Sequence, residues 1–182
     1  MVPEEAELLR RAQEGDDGAF ARLAKPCLDP AYRLALRLLG DPQEAEDAVQ
    51  DALYKAWRAL PHFRGEAKFS TWLYRIVWRV STDRLRRPAS LPLDAELKDV
   101  SEDYHPESQW EGIEAQREVE RALSRLSAPY RAVLTLYYVE DLPVREIAAI
   151  LQLPVGTVKT HLHRARQALK RALAAQEGGE GG

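Results

Sequence analysis

Apolar residues recur at helical spacing along nearly the whole chain, and no stretch alternates at the period of two that marks a half-buried strand. A first helix is expected over 3–14, with Leu8, Leu9 and Ala12 apolar. A second starts after Asp17 and carries Phe20 and Leu23, and Pro26 and Pro30 are expected to interrupt the chain. A third covers Ala31 to Leu39 and stops at Gly40. The fourth has the clearest start: Asp41 at the N-cap, Pro42 at the first helical position and Glu44 at the third. Ala45, Ala48, Val49, Ala52, Leu53, Ala56, Trp57 and Leu60 then follow one stripe over four turns, and Pro61 ends it. A loop, His62 to Lys68, leads to a fifth helix, for which Ser70 is the expected cap and Leu73, Ile76, Val77 and Val80 the buried face.

Residues 88–112 contain three prolines and many acids and keep no period, so they are expected to form an extended or partly disordered linker. Helices resume near Ile113 and run to Leu126, then from Ala128 to Val139, Val144 to Leu151 and Val155 to Ala175. Residues 176–182 are expected to be a flexible tail. The fold class is therefore all-α, with two small helical domains at 1–87 and 113–175. The second is marginal in size without a partner.

Charge changes this picture more than composition does. The 182 residues sum to −3, which gives no general attraction to nucleic acid. The distribution is uneven: residues 1–54 carry −6, 55–88 carry +7, 89–127 carry −6 and 128–182 carry +2. Two separated basic patches with an acidic connector suggest two contacts on one polyanion. The single Cys27 excludes an intrachain disulfide and a cysteine-based zinc cluster, and is expected to be structural. No apolar run is long enough to span a membrane, and the acidic N-terminus lacks a signal-peptide core, so a cytoplasmic protein without membrane insertion is expected.

Residues 143–169 read PVREIAAILQLPVGTVKTHLHRARQAL. A short helix, a break at Gln152-Leu153-Pro154 and a longer helix follow one another. Val158, Leu162, Ala165 and Leu169 form the apolar stripe of the longer helix. Its opposite face presents Gly156, Lys159, Thr160, His163, Arg164 and Gln167, with small side chains near its start. A helix-turn-helix needs this arrangement, because the start of its second helix enters the major groove while flanking cations hold phosphates. The same spacing also suits a helical hairpin with a solvated face; GTVK at the helix start favours DNA. His161 and His163 lie two apart and point in different directions, so no metal site is expected.

The fifth helix and its loop repeat the logic. Thr71, Arg75, Trp78, Arg79, Thr82 and Arg86 are expected to face outward. His62, Phe63, Arg64, Lys68, Phe69 and Trp72 cluster upstream. Cations interleaved with aromatics suit single-stranded DNA, the rings stacking on bases, although Phe69 is expected in the core. The fourth helix differs: Glu44, Asp47, Gln50, Asp51, Tyr54 and Arg58 make an acidic-amide face. Such a face is either plain solvated surface or a dock for a basic protein surface.

The series DPQEAEDAVQDALYKAW, FRGEAKFSTWLYRIV, DRLRR and LPVREIAAILQLPVGTVKTHLHRARQAL resembles the extracytoplasmic-function (group IV) sigma factors of bacterial RNA polymerase, over about residues 5–87 and 113–174 and in the family's order. The resemblance implies that Asp47, Gln50, Asp51 and Tyr54 dock on the β′ clamp helices of core polymerase. It implies that the loop with His62, Phe63, Arg64 and Lys68 captures a flipped base of the −10 element, and that the helix with Trp72, Arg75, Trp78, Arg79 and Arg86 opens and reads that element. It implies that residues 88–112 thread through the polymerase cleft. It also implies that Gly156, Thr157, Lys159, Thr160, His161, His163, Arg164 and Gln167 read the −35 element, in a domain that contacts the β flap. A further implied partner is an anti-sigma factor. Arg79 stands where the family often has Asn, His161 where Arg is usual, and Gln152 where Gly is common. No catalytic constellation, cofactor or small-molecule substrate is expected, catalysis belonging to the polymerase. The residues also leave open a stand-alone helix-turn-helix regulator and a sigma-like decoy that binds polymerase or an anti-sigma factor without initiating.

Overall fold

The computed structural model describes residues 3–86 and 110–177, and all the regular structure among them is helical. Most of the expected linker, with Arg87, and the end of the tail lie outside the described residues. In the first half, α1 (Pro3–Gln13) turns at Gly15, φ +96°, into α2 (Asp17–Ala24). Asp16 caps α2 by accepting from the Ala19 N–H at 2.9 Å. A 3-10 turn (Lys25–Cys27) leads into α3 (Leu28–Leu39). Pro30 does not interrupt this helix, because it sits in the first turn, where its missing N–H has no partner to lose. Gly40, at φ +75°, ends α3.

Asp41 caps α4 (Pro42–Ala59) as its sequence signal predicts, accepting from the Glu44 N–H at 2.8 Å. Ala45, Ala48, Ala52 and Ala56 are fully buried along one side of α4. Their small side chains let α3 and α5 (Phe69–Arg86) pack closely against it. Three expectations for α5 fail. Ser70 is not its cap, since the helix already includes Phe69. Thr71 does not face outward but is buried among the helices, while Ile76 is only half-buried. The shift follows from Phe69 being drawn into the core against Phe20, which sets the helix start and phase.

The second half consists of α6 (Trp110–Ser124), α7 (Ala128–Leu134), a wider turn at 135–139, α8 (Val144–Leu151) and α9 (Val155–Glu177). Helix α6 starts three residues before the expected Ile113, and α9 runs two residues beyond the expected Ala175. Ile147, Ile150, Val158 and Ala165 are fully buried between α8 and α9, whereas Leu169 is half-buried. The turn between these helices is made by Gln152 at φ +55°, a conformation that costs a non-glycine residue about 1 kcal/mol or more.

The two halves pack on each other, α3 against α7 and α5 against α8. Their buried residues join in one apolar cluster from Leu9 to Ala165. Burying each Leu- or Ile-sized side chain contributes about 1.5–3 kcal/mol, so the small second half gains its missing partner from the first. Arg131 of α7 donates to the Leu38 carbonyl at 2.9 Å, at the C-terminal end of α3 where carbonyls lack helical partners. Burial pulls the Arg131 guanidinium below its ordinary pKa.

Candidate nucleic-acid interface

Helix α4 presents Asp47, Gln50, Asp51 and Tyr54 at i, i+3, i+4 and i+7, on one side. Tyr54 is 62% exposed, Gln50 and Asp51 are exposed, and Asp47 is half-buried, accepting from Gln43 at 3.2 Å. Arg84 of α5 was missed by sequence reasoning. It donates to Glu44 at 2.7 Å and to Asp51 at 2.6 Å, so it organises two acids of this face. Its position five residues after Arg79 puts it on the α4 side of α5, a signal available in the helical spacing.

The loop before α5 is held by another residue the sequence did not single out. Gln13 of α1 donates to the Phe63 carbonyl at 2.8 Å and the Leu60 carbonyl at 3.2 Å. Gly65, at φ +70°, turns the chain just beyond. His62, Arg64 and Lys68 are exposed. Phe63 and Trp72 are half-buried and lie on each other, centroids 4.7 Å apart, with Phe69 beneath them in the core. Each of the two outer rings thus keeps part of its surface on the core and part toward solvent. Trp78 is also half-buried, and the Thr82 hydroxyl donates back to its carbonyl at 2.8 Å.

Lys68, Arg75 and Arg79 form a row, with Arg86 exposed at the helix end. The row meets the second half. Lys68 pairs with Glu146, the Arg75 Nε donates to the Ala149 carbonyl at 2.9 Å, and the Arg79 Nε donates to the Gln152 Oε1 at 3.0 Å. Sequence reasoning had no signal for these partners, which lie more than seventy positions away.

Helix α9 exposes Gly156, Lys159, Thr160, His163, Arg164 and Gln167 together. Thr157 and His161 are half-buried. The His161 ring packs edge-on against Tyr130, centroids 5.6 Å apart, and its Nδ1 is buried without a partner. The Thr160 hydroxyl donates to the Gly156 carbonyl at 3.0 Å, and Gln167 lies 3.1 Å from the His163 ring nitrogen. A Cβ added at Gly156 would meet nothing within 4 Å.

Behind α9, an apolar groove of about 640 Å³ is lined by Val119, Leu123, Tyr138, Val139, Leu169 and Leu173, with Arg37 and Arg166 at its edge. Arg166 donates to the Tyr138 hydroxyl at 3.1 Å. The sequence did not reveal the groove, because its walls come from α6, the turn at 135–139 and α9, with Arg37 from α3, segments far apart in the chain. Cys27 is buried against Tyr74, and burial pushes both the thiol and the phenol up in pKa. Among the described residues no group of three or more His, Cys, Asp or Glu side chains could hold a metal, and no helix is long and apolar enough to cross a membrane.

Residues 23–90 match the Sigma-70 region 2 family and residues 116–169 match the Sigma-70 region 4 family. The ECF RNA polymerase sigma factor SigW of Bacillus subtilis is 36% identical over 176 residues, covering 91% of this chain and 94% of its own length. The RNA polymerase sigma-H factor of Pseudomonas aeruginosa is 36% identical over 181 residues, covering 93% of this chain and 94% of its own. Among solved structures, CnrH in complex with the cytosolic domain of CnrY matches with a TM-score of 0.69 at 25% identity, over 94% of this chain and 98% of that one. The sigma factor RpoE of Bartonella quintana, solved with the anti-sigma factor NepR, shares the fold at a TM-score of 0.65 and 23% identity, over 85% of this chain and 96% of its own.

Proposed function

The chain belongs to the sigma-70 family and is an alternative sigma factor of the extracytoplasmic-function group, and we propose that it works in the cytoplasm as a non-catalytic promoter-specificity subunit using three separate surfaces. Residues 1–87 bind core polymerase and the −10 element, and residues 113–175 read the −35 element. The observation that carries this division is the separation of one acidic helical face from two cationic ones on a single chain.

The acidic face of α4, with Asp47, Gln50, Asp51 and Tyr54, docks on a basic part of core polymerase, the β′ clamp helices by resemblance. Opposite charge there speeds encounter and fixes register. On α5 and its loop, Lys68, Arg75, Arg79 and Arg86 follow the non-template strand. Phe63 and Trp72 offer half-exposed rings for a base, and His62, Arg64 and Trp78 flank them. Arg79 supplies a fixed fork of donors and no acceptor where an amide would offer both, so the −10 preference departs from that of relatives with Asn. On α9, Lys159 and Arg164 hold phosphates while Thr157, Thr160, His163 and Gln167 approach base edges around Gly156. His161, packed on Tyr130, contributes by placing the helix more than by direct contact. By resemblance, the second half also contacts the β flap, and an anti-sigma factor covers these faces when the protein is held inactive; the fold neighbour RpoE was solved with the anti-sigma factor NepR.

Run-off transcription on sheared genomic DNA, with core polymerase alone and with core plus this protein, tests the whole proposal. New RNA 5′ ends sharing two sequence blocks at fixed spacing are expected. Tight core binding without new ends would mean a decoy; neither would mean a stand-alone regulator.

A further inference from the structure

The α4 face that the proposed function assigns to core polymerase is not simply acidic. Helix α4 carries six charged residues, and all but Glu46 fall within a sector about 80° wide when the helix is projected at 3.6 residues per turn. Along that sector the sign changes. Glu44, Asp47 and Asp51 come first, Tyr54 follows, and Lys55 and Arg58 close the C-terminal end. Asp47 and Arg58 lie about 16 Å apart along the helix axis. Arg84 adds a third cation, at the acidic end, so the strip holds three carboxylates and three cations and has no net charge.

The helix dipole favours acids before cations, but only within the first and last turns. It does not account for Asp47 and Asp51, which lie in the second and third turns. Helix stability does not account for the cations either. A lysine four residues after an aspartate is its ordinary helical partner. Here Asp51 pairs instead with Arg84, and Lys55 and Arg58 are exposed and, among the described residues, make no ion pair or hydrogen bond. With Tyr54 and Ala59 they line an open hollow of about 410 Å³ at the end of the strip. At the other end all three carboxylates are engaged, Asp47 by Gln43 and the other two by Arg84. Arg84 holds one oxygen of Glu44 and one of Asp51, which leaves the second oxygen of each to accept from outside.

We propose that core polymerase recognises this strip by its order of charge: a basic group meets Asp47 and Asp51, an acidic group meets Lys55 and Arg58, and these two cations fix the direction in which α4 docks. The inference rests on α4 being the docking face. A strip without net charge exerts little long-range attraction. Its specificity comes from the cost of placing like charges together in the reversed orientation. The matching surface of the polymerase therefore runs from basic to acidic over about 16 Å.

Equilibrium binding of the full-length protein to core polymerase separates charge order from docking by acidity alone, because the two predict opposite signs. Lys55→Glu/Arg58→Glu leaves Arg84 as the one cation of the strip. Charge order predicts binding about tenfold weaker; plain attraction to a basic surface predicts tighter binding. Lys55→Ala/Arg58→Ala, which introduces no like charge, is expected to bind about threefold more weakly. Both variants should melt close to the unaltered protein, since the replaced side chains have no partner to lose. Unchanged or tighter binding by Lys55→Glu/Arg58→Glu overturns the proposal. Asp47→Lys/Asp51→Lys in the same assay keeps two failures apart. If it loses binding while Lys55→Glu/Arg58→Glu is unaffected, α4 remains the dock and only the charge order falls; if both bind normally, α4 is not the dock.

Discussion

Gly156 offers a test in which stability and function should move in opposite directions. It is the second residue of α9, its φ is not positive, and an added Cβ meets nothing within 4 Å. Nothing inside the protein therefore requires glycine there. Replacing it with Ala reduces the freedom of the unfolded chain and should stabilise by about 0.4–1 kcal/mol. For a chain of this size that is an upward Tm shift of about 1–4 °C. If the −35 element lies against this helix start, the same methyl intrudes on it, and the longer Gly156→Leu side chain intrudes further. Losing one well-placed base contact costs about 1–3 kcal/mol, or about 5- to 150-fold in promoter affinity. Thermal melting of the protein and gel-shift titration of the holoenzyme on a promoter with a −35 element give the two readouts. Lower stability in Gly156→Ala would refute the account of open space. Unchanged promoter affinity in Gly156→Leu would refute the placement of this residue at DNA.

Reversing Asp47 and Asp51 to Lys is expected to abolish core binding in a pull-down with little change in melting temperature, because exposed ion pairs such as Arg84–Asp51 contribute about 0–1 kcal/mol; retained core binding would remove α4 from the docking surface. Gln13→Ala frees the carbonyls of Leu60 and Phe63, at a cost of about 1 kcal/mol, and is expected to weaken promoter opening, seen as permanganate-reactive thymines, more than core binding. Burial raises both Cys27 and Tyr74 above their ordinary pKa values of 9.0 and 10.0. The unfolded chain therefore releases these protons first, so their contribution to stability is complete below about pH 9 and declines as pH rises further. Denaturant melts across pH 8–11 should show that decline become shallower in Tyr74→Phe, and equal slopes in the two proteins would contradict it.

Local signals placed most of the helices because the chemistry that starts and stops them is local. Asp41-Pro42 caps α4 by a bond three residues long, and Gly40 ends α3 by its own φ. The same locality misled at Ser70: it is a good cap in isolation, but the pull of Phe69 into the core decides the phase of α5. Pro30 looked like a break and is a first-turn residue, a distinction that depends on where the preceding 3-10 turn releases the chain.

For the site, helix periodicity was enough to gather Asp47, Gln50, Asp51 and Tyr54 on one face and Lys159, Thr160, His163, Arg164 and Gln167 on another, since residues three, four and seven apart share a side. Periodicity alone could not give Arg84 its two acids, Gln13 its loop carbonyls or His161 its place against Tyr130, because each contact joins elements whose spacing in the chain carries no angle. The amino-acid order by itself determined an all-helical chain, the alternation of acidic and basic surfaces, and the family motifs. Only the tertiary structure decided that the two halves share one apolar cluster and that α8 lies over the cations of α5. The first set follows from interactions within a few residues, and the second from burying two small apolar faces together, a gain that depends on the whole folded shape.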